Sequence, residues 1–277
     1  MLRTPQIAVA SALVALALFS SCSHAPKAVA TSSVVGAPLH GFEGRVLRWE
    51  PTTAGARAEV PYRLRRPTAG GAAPLLVFLH GAGERGLENE RQLIHFGARL
   101  DGAALEALDG SYALCPQCPE GQRWVEASWN ELPPAAMTED PSAAMAEVLA
   151  LVRHTLRTEP GIDGSRVYLT GLSMGAQGSW ELAARRPDWF AALAPVCGGA
   201  DPGSVAALAG VPVWAWHGVD DRTVPIERSE LMVDALRDAG GAPRFEVLPE
   251  GTGHRAWDAA YAADSPLWAW MFGQRRR

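Results

Sequence analysis

One serine sits between glycines two positions away on either side, in Gly171-Leu172-Ser173-Met174-Gly175. The five residues follow an apolar run at 167–172 (VYLTGL) and lead into helical spacing at 175–186. A sharp strand-to-helix turn needs small flanking residues, because side chains there collide with neighbouring backbone. It lifts the hydroxyl into solvent and aims amide N–H groups and the positive end of the helix at the place where an oxyanion would form. Ser173 is therefore the candidate nucleophile. A second glycine-rich turn, His80-Gly81-Ala82-Gly83, follows the apolar run 74–79 (PLLVFL). Its glycines let the backbone approach a substrate, so the amides of Ala82 and Met174 are the expected oxyanion donors, with His80 supporting the loop.

A serine hydroxyl attacks poorly until a base takes its proton, and the base needs a partner that fixes its tautomer. Two later segments supply those groups. His217-Gly218-Val219-Asp220-Asp221 follows the run VPVWAW, and Gly251-Thr252-Gly253-His254 follows the last strand-like segment. The order Ser, Asp, His along the chain fits Asp221 as the orienting acid and His254 as general base. Asp220 is the competitor, read as a turn former whose carboxylate hydrogen-bonds backbone instead. His24, His40, His95 and His154 are read as surface or core residues.

The elements that must position these groups alternate short apolar runs with longer helical patterns, as in a mostly parallel α/β sheet. An antiparallel pair is expected at 44–49 and 60–66, then strands at 74–79, 112–115, 167–172, 192–196, 211–216 and 245–248. Helices are expected at 88–100, 142–156, 175–186, 226–239 and 266–273.

Arg3 precedes an apolar run from Ile7 to Phe19 that is short for a membrane span, so residues 1–21 read as a signal peptide. Leu18-Phe19-Ser20-Ser21-Cys22 is similar to a bacterial lipobox, with Cys22 as the lipidated residue, Phe19 departing from the usual aliphatic. Residues 22–40, rich in Ser, Ala, Val and Pro, read as a tether, and 41–277 as one catalytic domain. The expectation is an exported protein, lipid-anchored to a bacterial membrane, with a soluble secreted or periplasmic protein as the alternative. The net charge of -5, with scattered basic residues, argues against a nucleic-acid surface. Cys115-Pro116-Gln117-Cys118 has redox or zinc spacing but no partner segments, and one disulfide among Cys115, Cys118 and Cys197 is allowed in an exported chain.

The segments PLLVFLHGAGERG, GLSMGAQGSWELAARRPDWFAALAPVCGG, HGVDDRTVP and GHRAWD resemble the phospholipase/carboxylesterase and predicted-peptidase families of α/β hydrolases, over roughly residues 60–272. More distantly the chain is similar to polyhydroxybutyrate depolymerases and feruloyl esterases. The resemblance implies an α/β-hydrolase fold, with a mostly parallel central sheet flanked by helices, and a triad of Ser173, Asp221 and His254. It also implies no metal, no dissociable cofactor and a small ester as substrate. Trp124 and Trp129 fall where such relatives build the pocket wall, with core packing as the alternative. A serine peptidase acting on small peptides and a non-catalytic envelope scaffold are the competing functions.

Overall fold

The computed structural model describes residues 30–276, so the expected signal segment, Cys22 and the start of the tether lie outside the described residues. Nine strands form one sheet in the order β1-β2-β3-β5-β4-β6-β7-β8-β9. The first three, β1 (Thr31–Val34), β2 (Glu43–Arg48) and β3 (Glu59–Arg65), are antiparallel, and β3 joins β5 (Tyr112–Pro116) in the same sense. From β5 onward the ladder is parallel through β4 (Ala73–Leu79), β6 (Ile162–Leu172), β7 (Ala192–Val196), β8 (Trp214–Gly218) and β9 (Arg244–Leu248).

All of β4 is buried, as a central parallel strand covered on both faces must be. Its alternation divides the core: Leu75, Val77 and Leu79 pack with one hydrophobic cluster, Leu76 and Phe78 with the other. The first cluster takes its helical side chains from α2 (Ala143–Thr158), α3 (Met174–Arg185) and α4 (Glu227–Asp238). The second takes them from α1 (Gly102–Asp109), α5 (Trp257–Ala260) and α6 (Pro266–Phe272). The fold is thus an α/β-hydrolase sheet with helices on both faces. Ser142 caps α2, its Oγ accepting the amide of Met145 at 3.0 Å.

Two expectations need correction. Residues 31–34, read as tether, pair with β2 from Thr31 opposite Arg48 to Val34 opposite Arg45, and Leu39 bridges Phe42. The strand has no apolar face to betray it; side-chain bonds from Arg45 and Arg48 to Ser32 and Ser33, at 3.1 and 2.9 Å, reinforce its ladder. The helix expected at 88–100 is replaced by two single 3₁₀ turns, Arg91–Leu93 and Gly97–Arg99. Asn89, at φ 60°, is held by tertiary bonds, its amide donating to Gln117 Oε1 at 2.6 Å and its side chain to the Tyr62 carbonyl at 3.0 Å. Extended φ values of -133° at Glu90 and -132° at Phe96 then interrupt any continuous helix.

Cys115, Cys118 and Cys197 are all buried free thiols, so no disulfide forms among them. Among the described residues, no helix is long and apolar enough to cross a membrane.

Candidate active site

Ser173 is the single residue between β6 and α3, with φ 54° and ψ -120°. A non-glycine residue held there costs on the order of 1–3 kcal/mol, and persists only where its surroundings over-determine it. They do: the Ser173 amide donates to the Val196 carbonyl at 2.8 Å. A Cβ on Gly175 would overlap the Leu79 carbonyl oxygen, and one on Gly171 would overlap that of Gly175. Both glycines are therefore steric requirements of the turn.

His254 closes on this serine, its Nε2 lying 2.9 Å from Ser173 Oγ, while its Nδ1 lies 2.7 Å from Asp221 Oδ2. Asp221 Oδ1 accepts the amides of Thr223 and Val224 at 2.8 and 3.0 Å. Burial pushes the Asp221 carboxyl up, but hydrogen bonds from His217, His254 and the Val224 amide outweigh it and hold the group well below the usual carboxylate range. An ionised acid then fixes His254 with its proton on Nδ1, leaving Nε2 free to accept from the serine. Asp220 has a different task. Its two oxygens accept the amides of Gly251 and Gly253 at 2.9 and 2.8 Å, pinning the loop that carries His254. Those same two bonds lower its pKa.

The turn after β4 passes directly over the serine, since a Cβ on Gly81 would lie 2.7 Å from Leu172 Cδ1 and 3.6 Å from Ser173 Cβ. Among the described residues, neither the Ala82 amide nor the Met174 amide has a protein acceptor. His80 secures this turn from below: Nδ1 donates to the Gly81 carbonyl at 2.6 Å and Nε2 accepts the Cys118 amide at 2.9 Å. Burial lowers its pKa to about 4, so the ring is neutral, as those two bonds require.

A cavity of about 230 Å³ opens at Ser173 and His254, with Ala82, Trp129, Thr223, Trp257, Glu84 and His95 among its walls. Two larger clefts, of about 510 and 500 Å³, contain none of the groups just described. Convergent polar groups, and not size, mark the site. Trp129 belongs to the wall, with the Arg123 guanidinium 4.7 Å from its ring centre. Trp124 does not. It is 1 % exposed, donates from Nε1 to the His80 carbonyl at 2.9 Å and packs under the turn that follows β4.

Residues 67–262 match the model of the phospholipase/carboxylesterase family, a stretch that runs from before β4 to just past α5 and includes Ser173, Asp221 and His254. The chain belongs to the phospholipase/carboxylesterase family. It is 31 % identical over 158 residues to NocK of Nocardia uniformis subsp. tsuyamanensis, whose name marks it as a candidate esterase; this covers 56 % of the chain and 42 % of that protein. It is 32 % identical over 130 residues to poly(3-hydroxyalkanoate) depolymerase C of Paucimonas lemoignei, covering 46 % of the chain and 28 % of the relative. The chain thus aligns with less than half the length of either relative. A solved thermostable esterase is 33 % identical with a TM-score of 0.73, covering 85 % of this chain and 64 % of that one.

Reading this phospholipase/carboxylesterase chain by sequence missed four members of the site. His217 stood in a quoted motif but had no role; it is fully buried, with Nε2 3.2 Å from Asp221 Oδ2 and 3.0 Å from the Val224 carbonyl. Trp257, three residues beyond His254, is the first residue of α5, and its ring meets the His254 imidazole edge-on at 5.3 Å. Glu84 and His95 carried no local signal, and His95, read as surface or core, is in the cavity wall. One set of side chains in this family member approaches metal-ligand spacing, Cys197, Asp221 and His254, whose donor atoms lie within 4.8 Å of one another. It is a poor donor set, because burial holds the Cys197 thiol protonated and the other two already bond each other.

Proposed function

We propose that the chain is a serine hydrolase that cleaves carboxylic esters through an acyl-enzyme. The observation that carries this reading is the 2.9 Å approach of His254 Nε2 to Ser173 Oγ, beside the amides of Ala82 and Met174, which have no backbone acceptor among the described residues. Ser173 Oγ attacks the ester carbonyl carbon while His254 Nε2 takes its proton, and the resulting oxyanion faces the amides of Ala82 and Met174. Collapse breaks the carbon–oxygen bond to the alcohol, which leaves with the proton from His254. Water then adds to the acyl group with His254 again as base, and the carboxylic acid departs. Asp221 stabilises the imidazolium at each stage without taking its proton.

Hydrolysis of short aryl esters tests this, with fluorophosphonate labelling of the same preparations. The reading expects labelling at Ser173 and loss of both signals in Ser173→Ala; unchanged turnover in that variant would sink it.

The N-terminal expectation stands as a proposal beside it: export, with Cys22 as the acylated first residue of the mature chain. The support is the apolar run at 7–19 and the lipobox-like segment ending at Cys22. Mass spectrometry of the mature N-terminus decides, and an unacylated start beyond Cys22 would reject it.

A further inference from the structure

We propose that Trp129, backed by Arg123, is the residue against which the ester lays a planar aromatic ring, so that the cavity selects aryl-bearing esters over saturated ones of the same size. The inference rests on the serine-hydrolase reading and adds the class of ester.

Trp129 stands on the wall of the cavity that holds Ser173 and His254, and it is half-buried. The neighbouring indoles are occupied. Trp124 lies outside the wall and donates to the His80 carbonyl, and the Trp257 ring meets those of His95 and His254, each at 5.3 Å. Among the described residues no aromatic ring pairs with Trp129, whose partner is the Arg123 guanidinium, 4.7 Å from the ring centre. Arg123 is not one of the residues of the cavity wall, so it covers the indole from outside and leaves the cavity side to a ligand.

The loop that carries this indole is braced on both sides of it by fully buried side chains. Gln177 Nε2, on α3, donates to the Ala127 carbonyl at 3.2 Å, and Arg228 Nη1, on α4, donates to the Glu131 carbonyl at 2.9 Å. A surface fixed in advance loses little freedom when a ligand settles on it.

The chemistry of the wall narrows the ligand. A cation over an aromatic ring draws on its negative faces, so with Arg123 in place a second cation gains less and the repulsion between two stacked rings is reduced. A carboxylate finds no Lys or Arg in the wall. Glu84, the acid of that wall, is already engaged by His95 Nε2 at 3.4 Å and by the Gly81 amide. Size agrees as well. An apolar cavity of about 150 Å³ is enough to hold benzene, so the cavity of about 230 Å³ takes one six-membered ring together with the ester group. A saturated ring of that size gains apolar burial but no stacking.

The test measures kcat/KM of the full chain on matched esters in two arms, each ratio divided by that for alkaline hydrolysis of the same pair. The alcohol arm compares benzyl acetate with cyclohexylmethyl acetate, and the acyl arm compares methyl phenylacetate with methyl cyclohexylacetate. The expected result is an aryl preference of about three- to tenfold in at least one arm, which also tells on which side of the bond the ring sits. Trp129→Leu brings that preference to within about 1.5-fold of none, and Trp129→Phe keeps part of it. Arg123→Ala weakens the preference through KM of the aryl ester, and Arg123→Lys, which returns a cation, restores part of it. Absence of an aryl preference in both arms of the wild-type protein overturns the proposal, as does a preference that survives Trp129→Leu or stands unmoved in Arg123→Ala. Fluorophosphonate labelling of the same samples separates the two readings: labelled wild-type protein without the preference sinks the stacking site alone, and unlabelled wild-type protein sinks the hydrolase.

Discussion

Nε2 of His217 lies 3.2 Å from the same Asp221 oxygen that receives His254 Nδ1, so one carboxylate oxygen is shared by two imidazoles. His217 is anchored on its far side, with Nδ1 2.7 Å from Ser229 Oγ. The proton on its Nε2 faces two acceptors, Asp221 and the Val224 carbonyl, and this fixes the tautomer. A donor on Asp221 draws charge from the carboxylate and weakens its hold on the imidazolium of His254.

Removing that donor has a readout beyond lost rate. In His217→Ala, Asp221 becomes a stronger partner for protonated His254, and the acidic limb of the kcat/KM profile moves to higher pH. One hydrogen bond to a charged group corresponds to a shift of up to about one unit. His217→Gln, which can return an N–H to the same place, restores part of the wild-type profile. A rate loss with an unmoved limb in both variants would leave His217 a packing residue.

Asp220 and Asp221 are neighbours with different predicted phenotypes. Asp220→Ala frees the Gly251 and Gly253 amides that pin the loop before His254. Misplacement of the base lowers kcat by about ten- to a hundredfold with little change in KM. Asp221→Asn disturbs the tautomer of His254 itself and costs about 10⁴ in kcat. Steady-state kinetics on one aryl ester ranks the pair, and equal losses would contradict the division of labour.

Gly175→Ala places a methyl group on the Leu79 carbonyl oxygen. Backbone cannot yield as a flexible side chain does, so urea unfolding is expected to show a loss of about 3 kcal/mol or more. Gly83→Ala, where a Cβ meets nothing within 4 Å, costs less than about 1 kcal/mol.

The two tryptophans of the loop after β5 separate in the same way. Trp124→Ala empties a fully buried site and is expected to destabilise the fold by about 3–5 kcal/mol. Trp129→Ala, from the half-buried cavity wall, changes KM with little effect on the unfolding midpoint.

His80 makes stability depend on pH. Its folded pKa of about 4 lies below the ordinary imidazole value of 6.5, so between those values the unfolded chain binds a proton that the folded chain does not. Stability from this group is full above about pH 6.5 and is lost as pH falls toward 4, by roughly 3 kcal/mol in all. Urea midpoints taken across that window should fall with acid, and His80→Gln should flatten the slope. A slope unchanged by the substitution would mean that other groups set it.

Much of this was legible in the sequence because it is locally encoded. Gly171, Ser173 and Gly175 announce a turn by their types and spacing, although the oxygen that forbids a side chain at Gly175 belongs to Leu79 of β4, and the uninterrupted apolar run of β4 announces burial on both faces. The order of Ser173, Asp221 and His254 then follows from which strand each residue ends. What local spacing does not contain is which remote groups meet. The Thr31–Val34 strand depends on ladder bonds to β2, and the expected helix at 88–100 yields to the bonds that hold Asn89 against Tyr62 and Gln117. Asp220 and Asp221 are adjacent carboxylates that only the path of the Gly251–Gly253 loop tells apart. Glu84, His95 and Trp257 share a wall because the turn after β4, the broken helix after it and α5 converge at the carboxyl ends of the parallel strands, and that convergence is a property of the packed sheet.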